Sequence, residues 1–215
     1  MEPGHVLSSG PARRGLTPLE VRSRFQGRSV GIRISEGVRG DHTLAGTAPP
    51  QKRVPAAVLV GMVDHPDGLT VLLTQRTAHL TDHAGQIALP GGRIEATDPD
   101  PVHAALREAH EEVGLPPAQV EVIGRLDTYI TGTGFEITPV VGLVRPPFAL
   151  QLDTFEVAEA FEVPLSFIVD PANHERRTGE LRGHVRSFFV LPYRDRYIWG
   201  ATAAMLINLA EVLAS

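Results

Sequence analysis

The chain has 215 residues, a formal charge of −5 and 42% hydrophobic content, enough for one domain with a sizeable core. This balance gives no electrostatic reason to expect nucleic-acid binding, and no apolar run is long enough to span a membrane. The absence of Cys excludes a disulfide framework and thiolate metal sites.

Met1 to Gly10 lacks a basic start and an apolar stretch, so no export signal is expected and a cytoplasmic location is. Lys52 is the one lysine among many arginines, which with abundant Ala, Gly and Pro reads as genome bias before function. In chain order, Leu16 to Phe25 predicts a short helix capped by Thr17 and opened by Pro18. Gly27 to Gln51 is polar and Gly-rich without sustained periodicity, and is expected to be partly extended or mobile. Residues 1–50 thus form an N-terminal extension, and residues 51–215 the main domain. Ala56 to Val63 and Leu69 to Gln75 are apolar, β-rich runs flanking Asp64-His65-Pro66-Asp67-Gly68, which predicts a hairpin. A helix follows over Pro101 to Val113, with Asp100 as its N-cap and Gly114 as its stop. Further strands are predicted at Val120 to Leu126, Phe135 to Val144, Ala158 to Val163 and Arg186 to Pro192. A last amphipathic helix runs from about Ala201 to Leu213, burying Met205, Leu206, Leu209 and Leu213. Strands interleaved with two main helices predict an α/β fold with a mixed β-sheet between helical layers.

The helix over Pro101 to Val113 carries the chemistry. Val102, Ala105, Leu106, Ala109 and Val113 fall within an arc of about 100°, a core-facing stripe, and Glu108, Glu111 and Glu112 fill a second arc beside it. That placement works against the helix. Glu111 and Glu112 oppose the dipole in the last turn, and Glu108 and Glu112 form a like-charge pair costing roughly 0.2–0.5 kcal/mol. One reading is a solvated acidic face, with Arg107 as partner to Glu111. The other is a hard-metal site, because convergent carboxylates suit Mg2+ or Mn2+ and a bound cation removes the repulsion. His103 and His110 lie on the other flank and are not counted as ligands.

The stretch from Gly92 to Leu115 resembles the Nudix box, G-x5-E-x7-R-E-U-x-E-E-x-G-U with U aliphatic. Arg107, Glu108, Ala109, Glu111, Glu112, Gly114 and Leu115 match its second half. Its first acidic position is Asp98, with eight residues in place of seven before Arg107, a form that resembles the coenzyme A pyrophosphatase branch. Upstream, Leu72-Leu73-Thr74-Gln75-Arg76 through Gly85 to Pro90-Gly91-Gly92 resembles that branch's signature, L-L-T-x-R-S/A-x3-R-x3-G-x3-F-P-G-G. Thr77, Thr81 and Leu89 depart from it, and Thr81 replaces an arginine that could contact phosphate.

The resemblance implies an α/β/α sandwich of Nudix type. It also implies divalent-cation-dependent hydrolysis of the diphosphate of coenzyme A or its thioesters, giving 3′,5′-ADP and 4′-phosphopantetheine. Glu108, Glu111 and Glu112 would hold Mg2+ or Mn2+, with Arg107 orienting a carboxylate. Arg76, Gly91, Gly92 and Arg93 would contact substrate, and Arg76 or Arg93 would replace the arginine missing at Thr81. The base is left open between these glutamates and a later acid such as Glu159. Glu156 and Glu159 read as surface acids by default, and Tyr129 and Phe135 as core residues that could alternatively meet a base or pantetheine arm. Trp199 is expected to pack the last helix. The partner is a small nucleotide of the coenzyme A class, with no nucleic acid or membrane, and a homodimer stays open. Two alternatives remain: another nucleoside diphosphate substrate, such as ADP-ribose or a dinucleotide, and a Nudix-like binding module without turnover.

Overall fold

The computed structural model describes residues 15–26, 33–34, 37–80, 83–181 and 184–215. The chain opens with helix α1 (Pro18–Phe25), strands β1 (Arg33–Ile34) and β2 (Val38–Gly40), and helix α2 (Asp41–Ala45). Strands β3 (Val54–His65), β4 (Gly68–Arg76), β5 (Ile87–Ala88) and β6 (Gly91–Arg93) lead into helix α3 (Pro101–Val113). Then come β7 (Val120–Arg125), β8 (Thr128–Ile130), β9 (Phe135–Val144), β10 (Val157–Pro164) and helix α4 (Leu165–Ile168). Strands β11 (Glu175–Leu181), β12 (His184–Tyr193) and β13 (Arg196–Trp199) precede the closing helix α5 (Gly200–Ala214).

The predicted β-hairpin forms from β3 and β4, and a two-residue connection, Pro66-Asp67, leads into Gly68 at φ +125°. This is a backbone region open to glycine at little cost. Strand β3 also runs parallel to β9 in continuous register from Val54↔Phe135 to Val63↔Val144. Having a paired neighbour on both sides and a layer over each face explains why Ala56 to Val63 is a continuous apolar run. The main sheet is mixed, with the path β1-β7-β9-β3-β4-β10. Helix α3 covers one face through Ala104, Ala105, Ala109 and Val113 against Ala57, Leu59, Leu72 and Val140. Helix α5 covers the other, with Leu206 and Leu209 in one cluster with Val60, Met62, Leu73 and Val141. The α/β/α sandwich is therefore present, and the antiparallel sheet β11-β12-β13 adds to it, with Leu191 and Ile198 in the α5 cluster.

Two sequence expectations change, and one alternative is removed. In the stretch expected to be partly extended or mobile, residues 33–34 and 38–40 form strands, while residues 41–45 form a short helix that the sequence did not predict. β1 and β2 pair in parallel with β7 and β8, so their order comes from partners distant in sequence. The closing helix is not amphipathic: from Thr202 to Leu213 only Glu211 is exposed, because the main sheet, the small sheet and α1 surround it. Tyr129 is buried and donates to Asp41 Oδ1 at 2.6 Å, which removes it as a substrate contact. Helix α1 has the expected cap, with Thr17 and Glu20 bonding reciprocally, and Arg22 anchors it on Glu121 of β7 at 2.8 Å. No helix among the described residues is long and apolar enough to cross a membrane. Thr81 lies outside the described residues.

Candidate active site

Helix α3 begins and ends where its sequence dictates. Asp100 accepts hydrogen bonds from the N–H groups of Val102 and His103, and Pro101 follows it at the first helical position. Gly114 closes the helix in the left-handed region at φ +70°. His103 bonds Asp100 at 3.0 Å and His110 is exposed, so neither faces the glutamates.

Arg107 organises the acidic arc. Its guanidinium grips both oxygens of Asp98 (3.0 and 2.9 Å), and also reaches Glu108 (3.0 Å), Glu111 (2.9 Å) and the Arg93 carbonyl (3.1 Å). A planar, permanently charged fork suits this bidentate grip, which a lysine cannot reproduce. Beside Arg107, Asp98 is held down at about 2, well below the usual carboxylate range. Asp98 is thus a structural acid, tying the loop before α3 to the helix.

Glu112 is 6% exposed, which rules out a solvated acidic face at this position. At 100° per residue it lies about 20° from Ala105, on the edge of the buried stripe. Its carboxylate accepts a hydrogen bond from Gly91 N–H at 3.1 Å and has Arg76 at 3.7 Å. Burial pushes its carboxyl up to about 7, and the nearby charges of Glu108 and Glu156 add to that. Glu108 is also raised, first by burial, while Arg107 opposes the shift and Glu111 and Glu156 reinforce it. Glu156, in the turn before β10, has Arg76 at 3.7 Å. It therefore joins the cluster rather than the outer surface. Glu159 does not, because Arg196 clasps both of its oxygens at 2.7 Å and lowers its pKa.

The glycines set the floor of the site. A Cβ on Gly91 would lie 2.4 Å from the Ala57 carbonyl oxygen, and one on Gly92 would lie 2.5 Å from the Glu108 carboxylate. The two substitutions therefore separate fold from function. Gly91→Ala collides with backbone and should cost about 1–3 kcal/mol in urea unfolding. Gly92→Ala collides with the mobile end of a side chain and should leave stability nearly unchanged. By displacing Glu108, it should lower turnover by about 10- to 100-fold. Arg93 places its guanidinium 5.7 Å from the centre of the Phe135 ring, on the opposite side of β6 from Glu108.

A divalent cation fits this donor set. The charges of Glu108 and Glu156 raise the proton affinity of Glu112, and the charge of Glu156 also raises that of Glu108, a repulsion that a cation among them would relieve. Among the described residues, however, no three acidic or histidine side chains converge as a ready-made metal site. Glu111 is turned outward, 57% exposed and held by Arg107, so joining the others requires giving up that ion pair. The sequence pattern singled out Arg107, Glu108, Glu111 and Glu112, and the fold brings Arg76 and Glu156 to them. For Glu156 the signal was its place on or just before a predicted strand, shared with Glu159, and only Arg76 and Arg196, distant in sequence, separate the two.

Residues 52–179 match the NUDIX domain family model. The chain is 42% identical over 155 residues to a protein of Enterobacter sp. (strain 638) named Uncharacterized Nudix hydrolase NudL, covering 72% of this chain and 80% of that one. Among solved structures, it is similar to a Caenorhabditis elegans Ap4A hydrolase in a binary complex (TM-score 0.44, 23% identity, 53% of this chain and 81% of that one). It is also similar to the NUDIX domain of Shewanella oneidensis NrtR complexed with ADP ribose (TM-score 0.41, 23% identity, 60% and 84%).

Proposed function

Because this chain belongs to the Nudix family of hydrolases, which act on pyrophosphate bonds and generally need a divalent cation, we propose that its substrate is coenzyme A or an acyl-coenzyme A. Cleavage at the diphosphate gives 3′,5′-ADP and (acyl-)4′-phosphopantetheine. The observation that carries this reading is the meeting of two stretches. Arg76 and Gly91 both belong to the segment that resembles the coenzyme A branch signature; Arg76 lies 3.7 Å from Glu112 of the Nudix-like helix, and Gly91 N–H bonds the same carboxylate.

In this reading Glu108, Glu111 and Glu112 hold the cation, which when bound neutralises phosphate charge and makes water a better nucleophile. Arg107 holds Asp98 and Glu108 in place and would release Glu111 to the cation, and the Gly91-Gly92 turn lets Glu108 and Glu112 approach the loop. Arg76 sits between Glu112 and Glu156, where its charge can meet a phosphate oxygen. Arg93, over Phe135 on the other side of β6 from Glu108, is turned away from the cluster, so the phosphate contact falls to Arg76. Glu156 takes the proton from the attacking water. It borders the cluster and is 44% exposed, whereas Glu159 is committed to Arg196.

Incubation of the full chain with coenzyme A and Mg2+ or Mn2+, followed by mass spectrometry, should show 3′,5′-ADP and 4′-phosphopantetheine, and a chelator should stop their formation. Cleavage of ADP-ribose or a dinucleotide with coenzyme A untouched would reassign the substrate. Tight nucleotide binding with no product from any of them would make the chain a binding module.

A further inference from the structure

We propose that Phe155 and His79 form a stacking platform for the adenine ring of the substrate, outside the carboxylate cluster; this rests on the nucleoside diphosphate reading given above. Phe155 is 65% exposed, and the His79 ring packs on it at 4.9 Å between centroids with a 60° tilt. On a loose loop such exposure would mean little, but here the backbone beneath the ring is fixed from both sides. Asp153 N–H bonds the Glu112 carbonyl at 2.9 Å, and the N–H groups of Glu156 and Val157 return to the Asp153 carbonyl at 3.0 and 2.8 Å. Asp153 Oδ1 accepts from Phe155 N–H at 2.9 Å. From the opposite side Thr77, itself buried, donates its hydroxyl to the Phe155 carbonyl at 2.8 Å and its N–H to the Glu156 carbonyl at 2.9 Å.

The turn that presents the ring is thus bonded to Glu112 at the end of the acidic helix and to the residue after Arg76. Among the described residues, Phe155 belongs to neither core cluster, so core packing does not explain a large apolar ring at this place. The next residue, Glu156, faces Arg76 and the cluster, so ring and acid would contact neighbouring parts of one ligand. A nucleoside diphosphate has that layout, with a flat base one ribose away from its phosphates. Two aromatic faces with an imidazole edge suit a planar heterocycle, whose stacking on aromatic side chains tolerates variation in hydrogen bonding. The pantetheine arm offers no planar ring.

Product inhibition of coenzyme A hydrolysis tests this directly. In Phe155→Ala, the inhibition constant for 3′,5′-ADP should rise about 5- to 100-fold, while that for 4′-phosphopantetheine moves by less than about twofold. Phe155→Trp should restore 3′,5′-ADP binding, a rescue that a general loss of packing would not give. Unchanged 3′,5′-ADP inhibition would overturn the platform, as would a loss confined to 4′-phosphopantetheine. So would a change of oligomeric state in sedimentation, which would make the ring a subunit contact. If the wild-type chain leaves coenzyme A intact, the substrate reading fails by itself. The platform is then tested by AMP inhibition of ADP-ribose hydrolysis with the same two variants, where Phe155→Ala should weaken AMP and Phe155→Trp restore it.

Discussion

Glu112→Gln should lower turnover by at least about a hundredfold while the protein stays folded. The substitution keeps the side-chain volume and an oxygen for Gly91 N–H, and removes the charge that Arg76 faces and that a cation would bind. Its effect on the metal-free protein separates a binding acid from a structural one. The Glu112 carboxyl stands at about 7 in the folded chain, above its usual unfolded value, because burial disfavours its ionised form. A raised acid contributes stability that is fully present below the unfolded value and is lost as the pH climbs through the folded one. The wild-type protein in chelator should therefore lose about 2–3 kcal/mol between pH 5 and pH 8 through this group. Glu112→Gln lacks that loss, so in urea unfolding the variant should gain on wild type by about 1–3 kcal/mol over the same window. A variant that unfolds more easily at pH 8 would identify Glu112 as a structural acid.

Glu156→Gln should reduce kcat by about 10²- to 10⁴-fold, the span expected on removing a general base, whereas Glu159→Gln should cost less than about tenfold. The two acids are three residues apart and chemically alike, and only their surroundings differ. Glu156 contributes to the charge felt by Glu108 and Glu112, and its contact with Arg76 is long at 3.7 Å. Glu159 gives both oxygens to Arg196, which also lies 4.4 Å over the Phe161 ring and bonds Gln75 at 3.0 Å. Losing that pair should appear in thermal unfolding more than in turnover. The reverse pattern, with Glu159→Gln inactive and Glu156→Gln near wild type, would move the base across the strand.

Residues close in sequence explain what could be read without coordinates. The α3 boundaries rest on Asp100, Pro101 and Gly114, each acting on backbone groups within a few residues, and they appear in the structure where the sequence places them. The β3–β4 hairpin follows the same logic, since its turn residues and apolar runs are contiguous. The acidic arc on α3 is likewise a consequence of helical periodicity, and so is the closeness of Arg107 to Glu111.

Tertiary structure decided whatever depends on distant partners. β1 and β2 are too short to declare themselves, and exist because β7 and β8 supply parallel hydrogen bonds. Helix α5 reads as amphipathic in isolation, yet neighbours on every side bury it. A stripe of Glu on a helix cannot say which member loses its water. Burial under the loop of Gly91 raised the pKa of Glu112 even though the Gly91 N–H opposes that shift, while Glu111 stayed exposed. The division between Glu156 and Glu159 was likewise settled by Arg76 and Arg196, which lie far from them in the chain. Sequence by itself determined the limits of α3, the β3–β4 hairpin and the face of α3 that carries charge, because those forces act over a few residues. The environment of each charge came only with the fold, because desolvation and ion pairing depend on whatever packing brings within a few ångströms.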